Sequence, residues 1–174
     1  RSHEIPYAFG GALALAYYTE PRATSDIDIN LFVGAEKATE VLKHLEPLGV
    51  DTKRKGVLET IRRDEQVRLA WGRNPLDLFF AYSPLHQYCV ERLRVASFGD
   101  AKIKILSLED LAIFKTIFGR QKDHDDLYKM LYAHQEAFDL NYMFQWIRAI
   151  LDKEDERFKA IVEIIQRIPE LDLP

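Results

Sequence analysis

Between residues 26 and 33 the chain reads Asp-Ile-Asp-Ile-Asn-Leu-Phe-Val, a run with the β-branched and aromatic content of a strand. Strand alternation sorts it into two faces, Ile27, Ile29, Leu31 and Val33 on one and Asp26, Asp28, Asn30 and Phe32 on the other. The first face calls for burial; the second must answer for two neighbouring carboxylates. Two residues along a strand separate Cα atoms by about 6.5 Å on the same side, so both carboxylates can converge on one divalent ion. A hard cation such as Mg2+ takes oxygen ligands and relieves the repulsion between the acids. The competing reading is a strand face of solvated acids.

The surrounding pattern is mixed. Ile5 to Phe9 reads as a short strand ending at Gly10-Gly11, and residues 12 to 18 as a buried helix stopped by Pro21. Glu36 to Leu48 has helical spacing closed by Gly49, and Val50 to Val57 reads as a further strand. Val67 to Trp71 and Leu76 to Ala81 are strands joined by Gly72-Arg73-Asn74-Pro75, whose turn chemistry predicts a hairpin. After Ile103 to Leu106 the pattern turns helical. Ser107-Leu-Glu-Asp110 is a capping box for a helix reaching Phe118, and further helices are expected at 123–134, 140–151 and 155–168. Tyr128, Tyr132, Phe144 and Trp146 read as packing residues of this helical tail.

Hydrophobic residues at 47% and charged residues at 30%, in 174 residues, describe a globular chain, with one sizeable core or one compact domain and a smaller appendage, and no apolar stretch long enough to span a bilayer. The net charge of −4 argues against indiscriminate attraction to nucleic acid. It is unevenly spread: residues 51 to 104 carry 11 basic against 7 acidic side chains, with clusters at Lys53-Arg54-Lys55 and Arg62-Arg63. Those clusters could meet phosphates, or form a solvated basic edge that discourages strand pairing. Cys89 is the single cysteine and forms no internal disulfide, and His124 has no companions at zinc-ligand spacing.

Three further features carry chemistry. A strand, then Gly10-Gly11, then a helix is a place where backbone N–H groups can receive phosphate; a glycine pair can equally be a tight turn. Asp77 lies among large apolar neighbours in Leu76-Asp-Leu-Phe-Phe80 and needs a partner, either a metal or an arginine such as Arg68 or Arg73. Lys115 shares an apolar helix stripe with Leu108, Leu111 and Phe118, so it faces inward toward phosphate charge or snorkels to water.

Taken together, Gly-Gly, the Asp26-Ile-Asp28-Ile pair, a later strand aspartate and a helix lysine followed by Arg120-Gln-Lys-Asp-His-Asp-Asp126 resemble the nucleotidyltransferase superfamily related to DNA polymerase β. The segment Ser107 to Lys115 with Arg120 through Leu127 looks most like its AbiEii and MenT-type branch, which includes toxins of toxin-antitoxin systems. The resemblance touches residues 5 to 127. It implies an α+β fold: a mixed β-sheet core flanked by helices over residues 1–106, and a C-terminal helical bundle over residues 107–174. Asp26, Asp28 and Asp77 would be the metal-binding and catalytic acids for Mg2+, with Mn2+ as the alternative ion. Gly10, Gly11 and Lys115 would contact nucleotide phosphates. Arg22 and Thr24, just before the acids, would reach the same phosphates or order the loop. Asp123 and Asp126 fit the acidic end of the tail motif, or cap the helix and pair with Arg120 or Lys122.

The function so implied is transfer of a nucleoside monophosphate from an NTP to an acceptor with release of pyrophosphate. The branch and the basic middle segment point to RNA, particularly a tRNA 3′ end, as acceptor, and to a cognate antitoxin as partner. A cytoplasmic setting with no membrane association goes with that reading and with the single cysteine. Two alternatives stand beside it: transfer to a small hydroxylated acceptor such as an aminoglycoside, and a catalytically silent partner-binding module.

Overall fold

The computed structural model describes residues 4–174. They form two compact units: one comprises the chain up to Leu13 together with Arg22–Leu106, the other Ala14–Pro21 with Ser107–Pro174.

The first unit is built on a six-stranded mixed sheet. Its strands are β1 (Tyr7–Phe9), β2 (Ile27–Leu31), β3 (Gln66–Trp71), β4 (Asn74–Phe80), β5 (Arg94–Phe98) and β6 (Ala101–Ile105), in the order β3-β4-β2-β1-β6-β5. β2 runs parallel to β4 and antiparallel to β1, while β3 and β4 form an antiparallel hairpin. The polar-face strand therefore lies inside the sheet, with neighbours on both sides. Alternation decides what each face carries. Leu76, Leu78 and Phe80 of β4 are fully buried, and with Val67, Leu69 and Leu31 they form a core against α2 (Ala38–Leu45) and α3 (Val57–Asp64), through Val41, Leu42, Val57 and Ile61. The alternate residues, Asp28, Asn30, Asp77 and Arg68, share the opposite face.

Several elements differ from the sequence reading. The strand expected at 50–57 is replaced by one isolated bridge, Val50 to Trp71, followed by α3. β-branched Val57, Thr60 and Ile61 mask that helix, yet Val57 and Ile61 stand one turn apart and both bury, while left-handed Gly56 (φ 86°) sets its start. The early helix is only α1 (Gly11–Leu15); beyond it Tyr17 and Tyr18 donate to carbonyls three residues back, so the helix tightens into a turn before Pro21. The hairpin turn is shorter than the four-residue turn expected. Trp71 pairs with Asn74 across Gly72-Arg73, and Pro75 lies in β4 just before the stretch that pairs with β2. Between β4 and β5 stands α4 (Leu85–Arg92), which buries Leu85, His86 and Cys89.

The second unit gathers α5 (Leu108–Phe118), α6 (Gln121–His134), α7 (Leu140–Ile150) and α8 (Glu156–Gln166). Ser107 caps α5 by accepting from the Asp110 amide, and Gly119 ends it in the left-handed conformation. Phe144 is buried as expected of a packing residue, but Tyr132 is exposed and stacks on Tyr128 at 6.0 Å between ring centroids. No helix among the described residues is long and apolar enough to cross a membrane.

Candidate active site

The parallel register of β2 and β4 puts Asp28 directly opposite Asp77. Neighbouring strands lie about 4.8 Å apart, so these two carboxylates leave the same face of the sheet as close neighbours. Asp26 precedes β2 by one residue and lies on the same alternation. The loop holds it in place: the Asp26 amide donates to Thr24 Oγ1 at 3.1 Å, and Ser25 Oγ donates to Asp26 Oδ1 at 3.4 Å. Thr24 thus orders the turn ahead of the acids. Half-buried Arg22 precedes it in the same segment.

Gly10 and Gly11 lie against this acidic face. A Cβ on Gly11 would collide with the Asp28 carboxylate, and the residue has φ +53°; a Cβ on Gly10 would stand 2.5 Å from Asn30 Nδ2. The pair is therefore fixed by clearance. Its expected role as a donor set is narrower: the Gly10 amide is spent on the Asp28 carbonyl at 2.9 Å, and the five-residue α1 offers little dipole.

A cation stands among the acids, and it belongs to the protein. Arg68, opposite Asp77 in the β3–β4 hairpin, donates from Nε to Asp77 Oδ1 at 2.8 Å and from Nη2 to Oδ2 at 2.6 Å. The same Nη2 lies 3.6 Å from Asp26 Oδ2. Hydrogen bonding to Asp77 and its charge, with Asp26 and Asp28 farther off, raise the guanidinium's already high pKa. Of the two arginines expected as alternatives to metal at Asp77, Arg68 is the partner; Arg73 lies in the turn. Its double contact was not foreseen. The signal was present in the hairpin: a two-residue turn at Gly72-Arg73 pairs residue 68 with residue 77.

As the side chains stand, no group of three or more His, Cys, Asp or Glu among the described residues is arranged to hold a metal ion. The donor set nevertheless fits a hard divalent ion in kind, being all carboxylate oxygen on one face. Asp26 and Asp28 would hold it, and Asp77 would join once its oxygens were released by Arg68.

Lys115 belongs to the helical unit and is 3% exposed. Its ammonium donates to Asp126 Oδ2 at 2.6 Å and lies 3.5 Å from Asp123 Oδ1. It neither snorkels nor presents an open ammonium; it ties α5 to α6. Asp123 also takes Arg120 Nε at 2.6 Å and its amide at 3.2 Å, the helix-capping role weighed for it, whereas Asp126 pairs with Lys115 in place of Arg120 or Lys122. Nearby, buried Asp110 accepts from Ser107 Oγ at 2.7 Å and Tyr142 Oη at 2.8 Å, joining α5 to α7.

No family model and no curated protein matches the chain. Solved structures do. The antibiotic-resistance factor ANT(2'')-Ia is similar over 91% of this chain and 86% of its own, at 15% identity and a TM-score of 0.56. The lincosamide antibiotic adenylyltransferase LnuA, bound to lincomycin, matches 72% of this chain and 85% of its own at 18% identity and a TM-score of 0.45. An antigenic nucleotidyltransferase-like protein from Paracoccidioides brasiliensis matches 96% and 82% at 18% identity and a TM-score of 0.48. At such identities the likeness to the first is one of fold. The chain has an α+β, nucleotidyltransferase-like fold.

Proposed function

We propose that the protein is a nucleotidyltransferase, moving a nucleoside monophosphate from an NTP to a hydroxyl acceptor. The observation that carries the reading is the pairing of Asp28 with Asp77 across two parallel strands, with Gly11 cut back to clear the Asp28 carboxylate. An acidic strand face is common; one whose carboxylate packs onto backbone where no side chain fits is held in a fixed place.

In the reaction the acceptor oxygen bonds to the α-phosphorus as the bond from that phosphorus to the bridging oxygen breaks. Pyrophosphate leaves and the acceptor gives up one proton. A divalent ion at such a site neutralises phosphate charge and orients the triphosphate. Asp26, just ahead of β2, and Asp28 within it would hold that charge. Asp77, on the adjoining strand, would help to hold the metal charge or take up the acceptor's proton once Arg68 releases it. Gly11, having no side chain, leaves room for the Asp28 carboxylate itself, and Thr24 fixes the loop that carries Asp26. Lys115, engaged by Asp126 and Asp123, holds α5 to α6; the phosphate contact expected of it requires that pair to open.

For the acceptor, RNA is the reading favoured by the basic middle segment. Arg54 donates to the Arg68 carbonyl at 2.8 Å, so the run at 53–55 is anchored on β3, the strand next to Asp77. Positive charge held at that edge of the sheet would suit a phosphate backbone. A tRNA 3′ end, and with it a toxin's role and a cognate antitoxin, rests on the sequence resemblance. The second reading is a small-molecule acceptor, favoured by the likeness in fold to an antibiotic-resistance factor.

The test is incubation with each α-labelled NTP and Mg2+, with total RNA in one arm and aminoglycosides in the other. Label in RNA supports the first acceptor and label in the drug the second. Asp26→Asn and Asp28→Asn should each abolish it. Transfer unchanged in those variants would end the proposal.

A further inference from the structure

Three carboxylates on one face repel one another, and in this protein Arg68 is what offsets them. Its fork takes both oxygens of Asp77 and reaches on to Asp26, so one guanidinium ties the acid of β4 to the acid ahead of β2. Asp28, held opposite Asp77 by the sheet, completes the set. The arrangement has a consequence for any incoming ion. Arg68 Nε and Nη2 sit on one lone pair of each Asp77 oxygen, two of the four in-plane sites and the two a bidentate metal would use.

The guanidinium is free to leave. The Arg68 side chain is 59% exposed, and Arg54 holds its backbone carbonyl, leaving the side chain untethered except by the acids. The guanidinium side of the pair is open to water, which weakens its hold, while Asp77 is only 15% exposed. A doubly charged ion drawn by three carboxylates competes well with that.

We infer that Arg68 is a resident counter-ion: it holds the acids together before the divalent ion arrives and competes with that ion for Asp77, so ion binding swings the guanidinium off both acids. Arg68 is then a positioning residue that sets the affinity of the site for metal. The inference rests on the metal-binding reading of Asp26, Asp28 and Asp77 given above.

The experiment is Mn2+ binding, followed through the electron paramagnetic resonance of the free ion, for wild type, Arg68→Gln, Arg68→Lys and Asp28→Asn at low ionic strength. Removing a unit charge a few ångströms from a divalent ion should tighten binding by about tenfold or more in Arg68→Gln. Arg68→Lys, which keeps the charge, should stay near wild type. A companion measurement needs no variant: the 15N resonance of Arg68 Nε in wild type should move during a Mg2+ titration, with the same midpoint as ion binding. Equal or weaker binding in Arg68→Gln, or an Nε signal unmoved at saturating Mg2+, overturns the inference. If Asp28→Asn loses Mn2+ while Arg68→Gln binds as wild type does, only the role of Arg68 fails. If neither wild type nor Arg68→Gln binds Mn2+, the metal reading fails with it. Should Arg68→Gln not fold, the wild-type Nε titration decides alone.

Discussion

Gly11 and Asp28 are packed so closely that the carboxylate occupies the space a side chain at position 11 would fill, and Gly11 reaches that position with φ +53°. Two independent penalties thus fall on any replacement. Gly11→Ala should destabilise the protein by roughly 2 kcal/mol or more, combining left-handed strain with displacement of Asp28. Gly49 is the control: it is also left-handed, with φ +84°, but nothing lies near its missing Cβ. Gly49→Ala should cost about 1 kcal/mol, from the backbone alone. Urea unfolding of the two variants checks the difference, which comparable losses would contradict.

Lys115 should behave as a structural cation. Removing one member of a buried ion pair leaves the other charge uncompensated, at a cost of about 3–5 kcal/mol. Lys115→Met should show a loss of that order in urea unfolding, and Lys115→Met combined with Asp126→Leu should recover a good part of it. A single variant as stable as wild type would show that the contact with Asp126 is not maintained in solution.

His86 gives the fold a sensitivity to acid. It is 1% exposed, and burial lowers its pKa below the ordinary 6.5, partly opposed by the bond to the Ser83 carbonyl. Because the folded value lies below the unfolded one, the unfolded chain takes the proton first as pH falls. Its contribution to stability is therefore complete above about pH 6.5 and declines as pH drops below that, until the folded histidine also protonates. Melting temperature should fall between pH 7.5 and 5.5, and His86→Gln should flatten that dependence. An unchanged slope in the variant would place the acid sensitivity elsewhere.

Nucleotide should stabilise the protein only together with the ion. Binding to the native state alone raises stability by about 2.7 kcal/mol at a hundredfold excess over Kd. The rise in melting temperature should appear with NTP and Mg2+, and be lost both with NTP and EDTA and in Asp28→Asn. Stabilisation by NTP that ignores Mg2+ and survives Asp28→Asn would point to a different binding site.

Much of the acidic face could be read from residues 26 to 33, because a two-residue period assigns sides without knowledge of neighbours. Which strand lies beside it could not, since the β2–β4 pairing joins residues some fifty apart and depends on everything between. The same limit explains Lys115. Its inward direction follows from the stripe on α5, but the acid that meets it, Asp126, sits on the next helix, and local spacing favoured Arg120 or Lys122 for that acid. At 50–57 the apolar ends Val50 and Val57 suggested a strand, whereas Val57 opens a helix whose Val57 and Ile61, one turn apart, pack against the sheet. The Arg68 contact was one of two arithmetic outcomes of the hairpin, and the length of the turn decided between them.

That turn also bears on how this lineage can change. Insertion of one residue within Gly72-Arg73 that shifted β3 by a single step would send Arg68 toward the aliphatic layer and Leu69 out beside Asp77. Insertions and deletions at the hairpin tip are thus screened by a constraint that originates at position 77. The tip should keep its length among descendants even where its side chains drift, although it lies at the surface where loops ordinarily vary most.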